Sequence, residues 1–145
     1  MTRRSLRESI FKILFRYEFN DAGEMDEQLE FAMADETDIA DDKDEITVDP
    51  SARKKDKEYI INKVKAILEH IDVIDEVIEG VSEGWKLQRI GKAELAIMRL
   101  AVYEIRFDDD VPYKVAINEA LELTKIYCNE DAKGFVNALL SKVGE

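Results

Sequence analysis

The sequence predicts an all-α fold: seven helices in two helical sub-bundles, with an acidic loop between the second and third helices. Three observations predict it. Apolar residues recur at helical spacing along most of the chain, and no stretch alternates with period two beside a turn signal. Only 2 prolines and 6 glycines occur in 145 residues, too few for a strand-and-turn architecture. A chain of this length buries roughly 68–70% of its unfolded surface, enough to fold without disulfides or a metal.

The elements follow in order. The first helix is expected from about Arg3 to Phe19, with Leu6, Ile10, Ile13, Leu14 and Tyr17 on one face. Phe11 and Phe15 widen that stripe. A second helix is read over Met25–Ala34 through Leu29, Phe31, Ala32 and Met33. Residues 35–50 then lose periodicity, gain acids and end at Pro50, the pattern of a solvated loop. Ser51 is the expected N-cap of a long third helix whose apolar face is Ile60, Val64, Ile67, Leu68 and Ile71. Asp72 is read as the N-cap of a short helix with Val73, Ile74, Val77, Ile78 and Val81, ended by Gly80, Ser82 and Gly84, with Trp85 opening a turn.

A fifth helix spans about Ile90–Phe107, with Ala93, Ile97, Leu100, Ala101, Glu104 and Phe107 in register. The run Asp108–Asp110 separates it from a sixth that starts near Pro112, where the missing proline N–H costs nothing. Its face is Ala116, Ile117, Ala120, Leu121, Thr124 and Tyr127. Asn129 caps the last helix, with its stripe of Ala132, Phe135, Val136, Leu139, Leu140 and Val143. The whole chain, 1–145, reads as one domain, its sub-bundles meeting near residues 71 and 72.

Charge is distributed unevenly. The net charge is −12, and the segment from Asp21 to Asp49 holds 13 acids against the single base Lys43. That segment accounts for the whole excess, because the remainder balances 20 bases against 20 acids. The first twenty residues carry Arg3, Arg4, Arg7, Lys12 and Arg16 against Glu8 and Glu18, a net of +3. Screening over about 8 Å at physiological salt lets this basic end act independently of a distant acidic loop. No apolar run approaches the ~20 residues of a membrane span. The charged start does not read as a secretory signal, and the lone cysteine suits a reducing compartment, so cytoplasm is expected.

Catalytic readings fail one by one. Cys128 and His70 are the only residues of their types, which removes disulfide frameworks and zinc fingers. Gly84–Lys92 lacks phosphate-loop spacing, and Ala93 stands where a magnesium-binding hydroxyl is required. Around Asp42 and Asp44 the ligand and glycine pattern of a calcium loop is missing. Asp108–Asp110 reads as helix-terminal charge, and Glu119 with Glu122 as one of many carboxylate pairs in an acid-rich chain. His70 beside Ile71 reads as structural or exposed, and Cys128 has no adjacent base to activate it. The expectation is a non-enzyme with no cofactor and no metal. Arg3, Arg4 and Arg7 at the tip of the first helix oppose the helix dipole, a cost that anion binding would offset; guanidinium groups suit phosphates and unpaired bases of single-stranded RNA.

The C-terminal third carries a resemblance. The run Val111-Pro112-Tyr113-Lys114-Val115-Ala116-Ile117-Asn118-Glu119-Ala120, followed by Leu121-Glu122-Leu123 and by Phe135-Val136-Asn137 with Leu140, resembles the NusB family of transcription antitermination factors. Ile97-Met98-Arg99-Leu100-Ala101-Val102-Tyr103-Glu104 is similar to that family's LRxAxYE helix, and Arg3-Arg4-x-x-Arg7-Glu8 to its arginine-rich start. The likeness spans nearly all the chain except about residues 20–55.

It implies two helical sub-bundles, no catalysis, and an adaptor that binds boxA of nascent ribosomal RNA together with NusE, a small-subunit ribosomal protein, within the Nus factor and RNA polymerase complex. The RNA contacts it implies are Arg3, Arg4, Arg7 and Lys12, with a second patch at Asp131 and Phe135; Phe15 and Glu94 match the NusE-facing positions. Phe135 also fits the core stripe, so stacking on RNA and filling the core are both open. Ala138 and Gly134 depart from the family, which commonly has a glycine and a basic residue there. Two alternatives stand beside this reading: an RNA-targeting domain of a modification system, and a protein-binding scaffold. Monomer and homodimer are both compatible with the sequence.

Overall fold

A computed structural model of the chain describes residues 2–17, 50–82 and 86–144. Among them are six α-helices and one short 3-10 turn: α1 (Arg3–Tyr17), α2 (Pro50–Glu69), α3 (Ile71–Val81), the 3-10 turn Leu87–Arg89, α4 (Lys92–Phe107), α5 (Tyr113–Tyr127) and α6 (Glu130–Val143). No strand occurs among the described residues. The all-α class is therefore the observed one. The expected helix over Met25–Ala34, the acidic loop up to residue 49 and the turn at Gly84 and Trp85 lie outside the described residues. The chain divides into two compact units, Met1–Ala66 and Ile67–Glu145.

In the first unit, α1 is started by Thr2, whose hydroxyl accepts the backbone N–H of Ser5 at 3.1 Å. This N-cap satisfies one of the helix's orphan donors. Ile10, Phe11, Ile13 and Leu14 are buried, as are Ile60 and Val64 of α2. Lys63 of α2 is buried as well, and its ammonium donates to the Tyr59 hydroxyl at 3.3 Å, so its methylene stem is covered while its charge keeps a partner.

The second unit is organised around α4, which packs against α3, α5 and α6; α6 in turn packs against α3 and α5. Every residue of α4 from Leu95 to Val102 is buried. A helix covered on all sides reads as continuous burial and not as a stripe. It carries one long cation into this interior, Arg99. The guanidinium meets Asp75 of α3 as a fork, Nε donating to Oδ1 at 2.9 Å and Nη2 to Oδ2 at 3.0 Å. That bidentate geometry satisfies both charges at once.

The end of α6 is tied down by two other helices. Arg106 of α4 donates to the Val143 carbonyl at 3.0 Å, and the Tyr113 hydroxyl of α5 donates to the Ser141 carbonyl at 3.1 Å. Both carbonyls belong to the last turn, which has no intrahelical donors left. The Tyr113 ring fills the space that a Cβ on Gly144 would need. Inside α5, the buried Thr124 returns its hydroxyl to the Ala120 carbonyl at 2.8 Å, the usual way a mid-helix hydroxyl is hidden.

Four local readings are corrected. The N-cap of α3 is His70, with no side-chain cap, and Asp72 sits in the first turn, where its charge favours the helix dipole without capping it. Gly80 lies within α3 and does not end it. The long helix begins at Pro50 and not after Ser51, a two-residue difference at a helix end. Phe107, placed in the core register of its helix, is 39% exposed because α4 has reached its last residue there. Its ring instead joins His70, at 4.4 Å between centroids, and Tyr103, at 5.8 Å, in an aromatic cluster.

The fork predicts a specific response. Arg99→Ala or Asp75→Ala alone should cost about 2–4 kcal/mol, since each strands a largely buried charge. The double replacement Arg99→Met with Asp75→Leu should recover most of that loss, and urea denaturation of the three variants measures it. Tyr113→Phe should cost about 1 kcal/mol by the same measurement, because the Ser141 carbonyl loses its donor.

Candidate nucleic-acid and partner interface

The residues expected to meet RNA at the N-terminus all lie on α1. Thr2 at the N-cap makes Arg3 and Arg4 the first two helical residues, so both guanidinium groups extend from the end where backbone N–H groups also point outward. Both are exposed. No acid occupies that first turn. Arg7, one turn further, is only 8% exposed. Its burial separates it from the outer pair: Arg3 and Arg4 are presented to solvent, whereas Arg7 lies largely within the fold. Lys12 is half-buried and lies 3.9 Å from Glu8 on the same helix. Helical spacing puts Arg4, Glu8, Lys12 and Phe15 along one flank of α1. Phe15 is half-buried, its ring 6.0 Å from that of Phe11.

The other candidates belong to the unit Ile67–Glu145. Asp131 and Phe135 are one helical turn apart at the start of α6, on the same face. Asn129 caps this helix, its side chain accepting the Ala132 N–H at 3.0 Å. Asp131 is exposed, and with Glu130 it places negative charge where the helix dipole favours it. Ala132, Val136, Leu139, Leu140 and Val143 form the buried stripe, with Phe135 half-buried at its margin. Part of its ring surface is therefore open while the rest packs.

Glu94 is in the first turn of α4. Its carboxylate lies over Gly91, in the space that a Cβ at that position would take. Burial first, and then the charge of the Glu94 carboxylate, push the Cys128 thiol at the end of α5 from an ordinary 9.0 up to about 12. This agrees with the inert character expected of it. Cys128 also lines a cavity of about 430 Å³ with Lys125, Asn129, Glu130 and Lys133.

The motif residues divide by role. Within the stretch Ile97–Glu104, Arg99 is spent on Asp75 and Glu104 is 1% exposed, so the charged positions of this motif are interior. The Asp108–Asp110 run makes a turn, Asp108 accepting the Asp110 N–H at 3.1 Å. His70 lies tilted against Phe107 and Tyr103 in its aromatic cluster. Among the described residues no group of three or more His, Cys, Asp and Glu side chains could hold a metal. No described helix is long and apolar enough to cross a membrane. Apolar spacing gives no sign of the Thr2 cap or of the Glu94 carboxylate lying over Gly91. Thr2 ahead of an amphipathic run, and Gly91 three residues before Glu94, were the available signals.

Cys128 gives a pH signature. The unfolded chain releases the thiol proton near 9 and the folded chain only near 12. Between those values the unfolded state binds fewer protons, so this group lowers stability as pH rises. Urea midpoints of the parent protein should fall relative to those of Cys128→Ala between pH 8 and pH 10.

Comparison with known proteins agrees with this architecture. The sequence pattern of the NusB family matches residues 4–145. The chain is 45% identical over 142 residues to the transcription antitermination protein NusB of Agathobacter rectalis, covering 98% of each chain. It is 45% identical over 143 residues to that of Lachnoclostridium phytofermentans, covering 99% of this chain and 98% of the other. Among solved structures, T. maritima NusB superposes with a TM-score of 0.78 at 33% identity, over 99% of this chain and 91% of that one. A structure of antitermination factors NusB and NusE in complex with dsRNA shares the fold, with a TM-score of 0.73 at 24% identity over 98% and 95% of the two chains. On this similarity, which runs the length of the chain, the protein belongs to the NusB family.

Proposed function

We propose that this protein is a non-enzymatic RNA-binding adaptor of transcription antitermination. It binds a boxA-like single-stranded segment of nascent ribosomal RNA together with NusE, and so keeps RNA polymerase from terminating. The observation that carries this reading is the pair Arg3 and Arg4, exposed at the capped start of α1 with no acid in that turn. A chain whose charge is −12 presents there two cations suited to phosphate and to unpaired bases. Family membership supports the assignment, as do the relatives' name and the solved complex of NusB and NusE with RNA. The reading places the protein in the cytoplasm, where nascent bacterial transcripts are made.

In this mechanism Arg3 and Arg4 hold phosphates and Lys12 adds a weaker charge shared with Glu8. Arg7 supports the turn that carries them. Phe135 offers its open ring surface to an unpaired base beside Asp131, a contact worth about 1–3 kcal/mol. Phe15 and Glu94 face NusE. Binding RNA and NusE jointly supplies an affinity that two exposed arginines alone do not reach.

A titration of boxA-like RNA against a scrambled strand and against a duplex, with and without NusE, tests the reading. Selective binding to the boxA-like strand, tightened by NusE, is expected. Arg3→Ala with Arg4→Ala should reduce the logarithmic salt slope by about 1.4, two phosphate contacts on a single strand. Arg7→Ala should lower the melting temperature as well as affinity, in contrast to the outer pair. Phe135→Ala should weaken RNA binding about 5- to 100-fold with little change in salt slope, because stacking carries no counterion release. Equal binding of all three RNAs, indifferent to NusE and to the arginine pair, would leave a protein-binding scaffold as the better account.

A further inference from the structure

Basic charge is concentrated in the two described helices of the first unit. The α1 helix carries five bases against one acid, and residues 50–66 of α2 carry six bases against two acids, Asp56 and Glu58. Residues 67–145 hold nine bases against 16 acids. The cations of α1 enter the RNA contacts of the proposed function; those of α2 do not. Lys54 and Lys55 are exposed near the start of α2, and Arg53 and Lys57 beside them are half-buried.

One turn beyond Lys55, on the same flank, stands Tyr59, which is 45% exposed. A further turn along, Lys63 is 7% exposed. Its ammonium donates to the Tyr59 hydroxyl at 3.3 Å and lies 5.6 Å from the centre of the ring, within cation–π range. An interior lysine thus sets the position of a ring that keeps nearly half its surface in water. A side chain already held in place loses less freedom when a ligand stacks on it. Exposed cations beside a fixed, solvated ring match a single-stranded nucleic acid, whose phosphates meet the lysines while an unpaired base meets the ring. An acidic protein segment would leave the ring without a counterpart, and a duplex hides its base faces.

We propose that this flank of α2 is a further RNA-binding surface, on which a base outside the boxA-like segment stacks on Tyr59 while Lys55 holds an adjoining phosphate. Lys54, on the neighbouring flank, adds its charge at the same end of the helix. This rests on the RNA-binding reading above and adds to it a second helix of the first unit.

The test compares a minimal boxA-like strand with strands extended by several nucleotides on either side, in the presence of NusE, with melting temperatures measured alongside. The extended strand should bind more tightly. Tyr59→Ala should weaken binding of the extended strand about 5- to 100-fold and leave the minimal strand unchanged. Tyr59→Phe, which keeps a ring, should retain most of the gain. Lys54→Ala with Lys55→Ala should lower the logarithmic salt slope by about 1.4 on the extended strand alone. As a second readout, thiouridine placed in turn at each flanking position should photocrosslink to the peptide that contains Tyr59.

Equal binding of extended and minimal strands, or the lack of any crosslink to α2, would overturn the proposal. So would a Tyr59→Ala variant that melts earlier but binds both strands as the parent does, because Tyr59 would then only support Lys63. Lysine variants that weaken NusE binding and not RNA binding would make the flank a protein contact instead. If the minimal strand does not bind, the functional reading falls as well; if it binds and extension adds nothing, this surface alone falls.

Discussion

The second unit depends on a helix that has no solvent face along its middle. From Leu95 to Val102, α4 is enclosed by α3, α5 and α6, so each polar group it carries needs an interior partner. Arg99 is the demanding case. Its fork with Asp75 reconciles a guanidinium with this environment and at the same time fixes the register of α3 against α4. An apolar pair of equal volume would also fill the space, but it would not dictate which residue of α3 faces which residue of α4. Buried ion pairs of this kind contribute orientation more clearly than net stability.

From that anchored helix the neighbouring termini are arranged. Arg106, two turns beyond Arg99, reaches the end of α6, and Tyr113 at the start of α5 reaches the same turn. The Tyr113 hydroxyl thus gives one member of the Pro-Tyr-Lys run a structural duty. At the opposite end of α4, the Glu94 carboxylate lies over Gly91, whose lack of a Cβ leaves it room. The half-exposed Glu94 stands on the most enclosed helix of the unit, which gives it a rigid base.

The basic end of the molecule follows different physics. Net charge describes the chain poorly, because 13 of its acids lie in one segment and the cations of α1 act over about a Debye length. What matters is how each cation is placed. Arg3 and Arg4 project from a capped helix start, Arg7 is drawn inward, and Lys12 is shared with Glu8. One sequence motif thus contains two kinds of arginine, and a count of basic residues does not distinguish them.

Helix identity was legible in the sequence because it is a local property: stripes such as Ile60, Val64 and Ile67, or Val136, Leu139 and Leu140, repeat at 3.6 residues and are buried as that period requires. The Asn129 cap was legible for the same reason, since donor and acceptor are three residues apart. The candidate arginines were marked by their charge at the tip of the first helix as well as by motif resemblance, whereas Phe135 and Glu94 came through resemblance alone, which identifies positions without showing their surroundings. The tertiary structure alone decided that Arg7 is interior while Arg3 and Arg4 are not, that Arg99 pairs with Asp75, and that Phe107 is tilted against His70 and partly exposed. Each of these turns on which helix lies alongside which. Helical period sets the face on which a side chain emerges, but its partner comes from residues 24 or 37 positions away in the cases of Arg99 and Arg106, a pairing that only packing brings about.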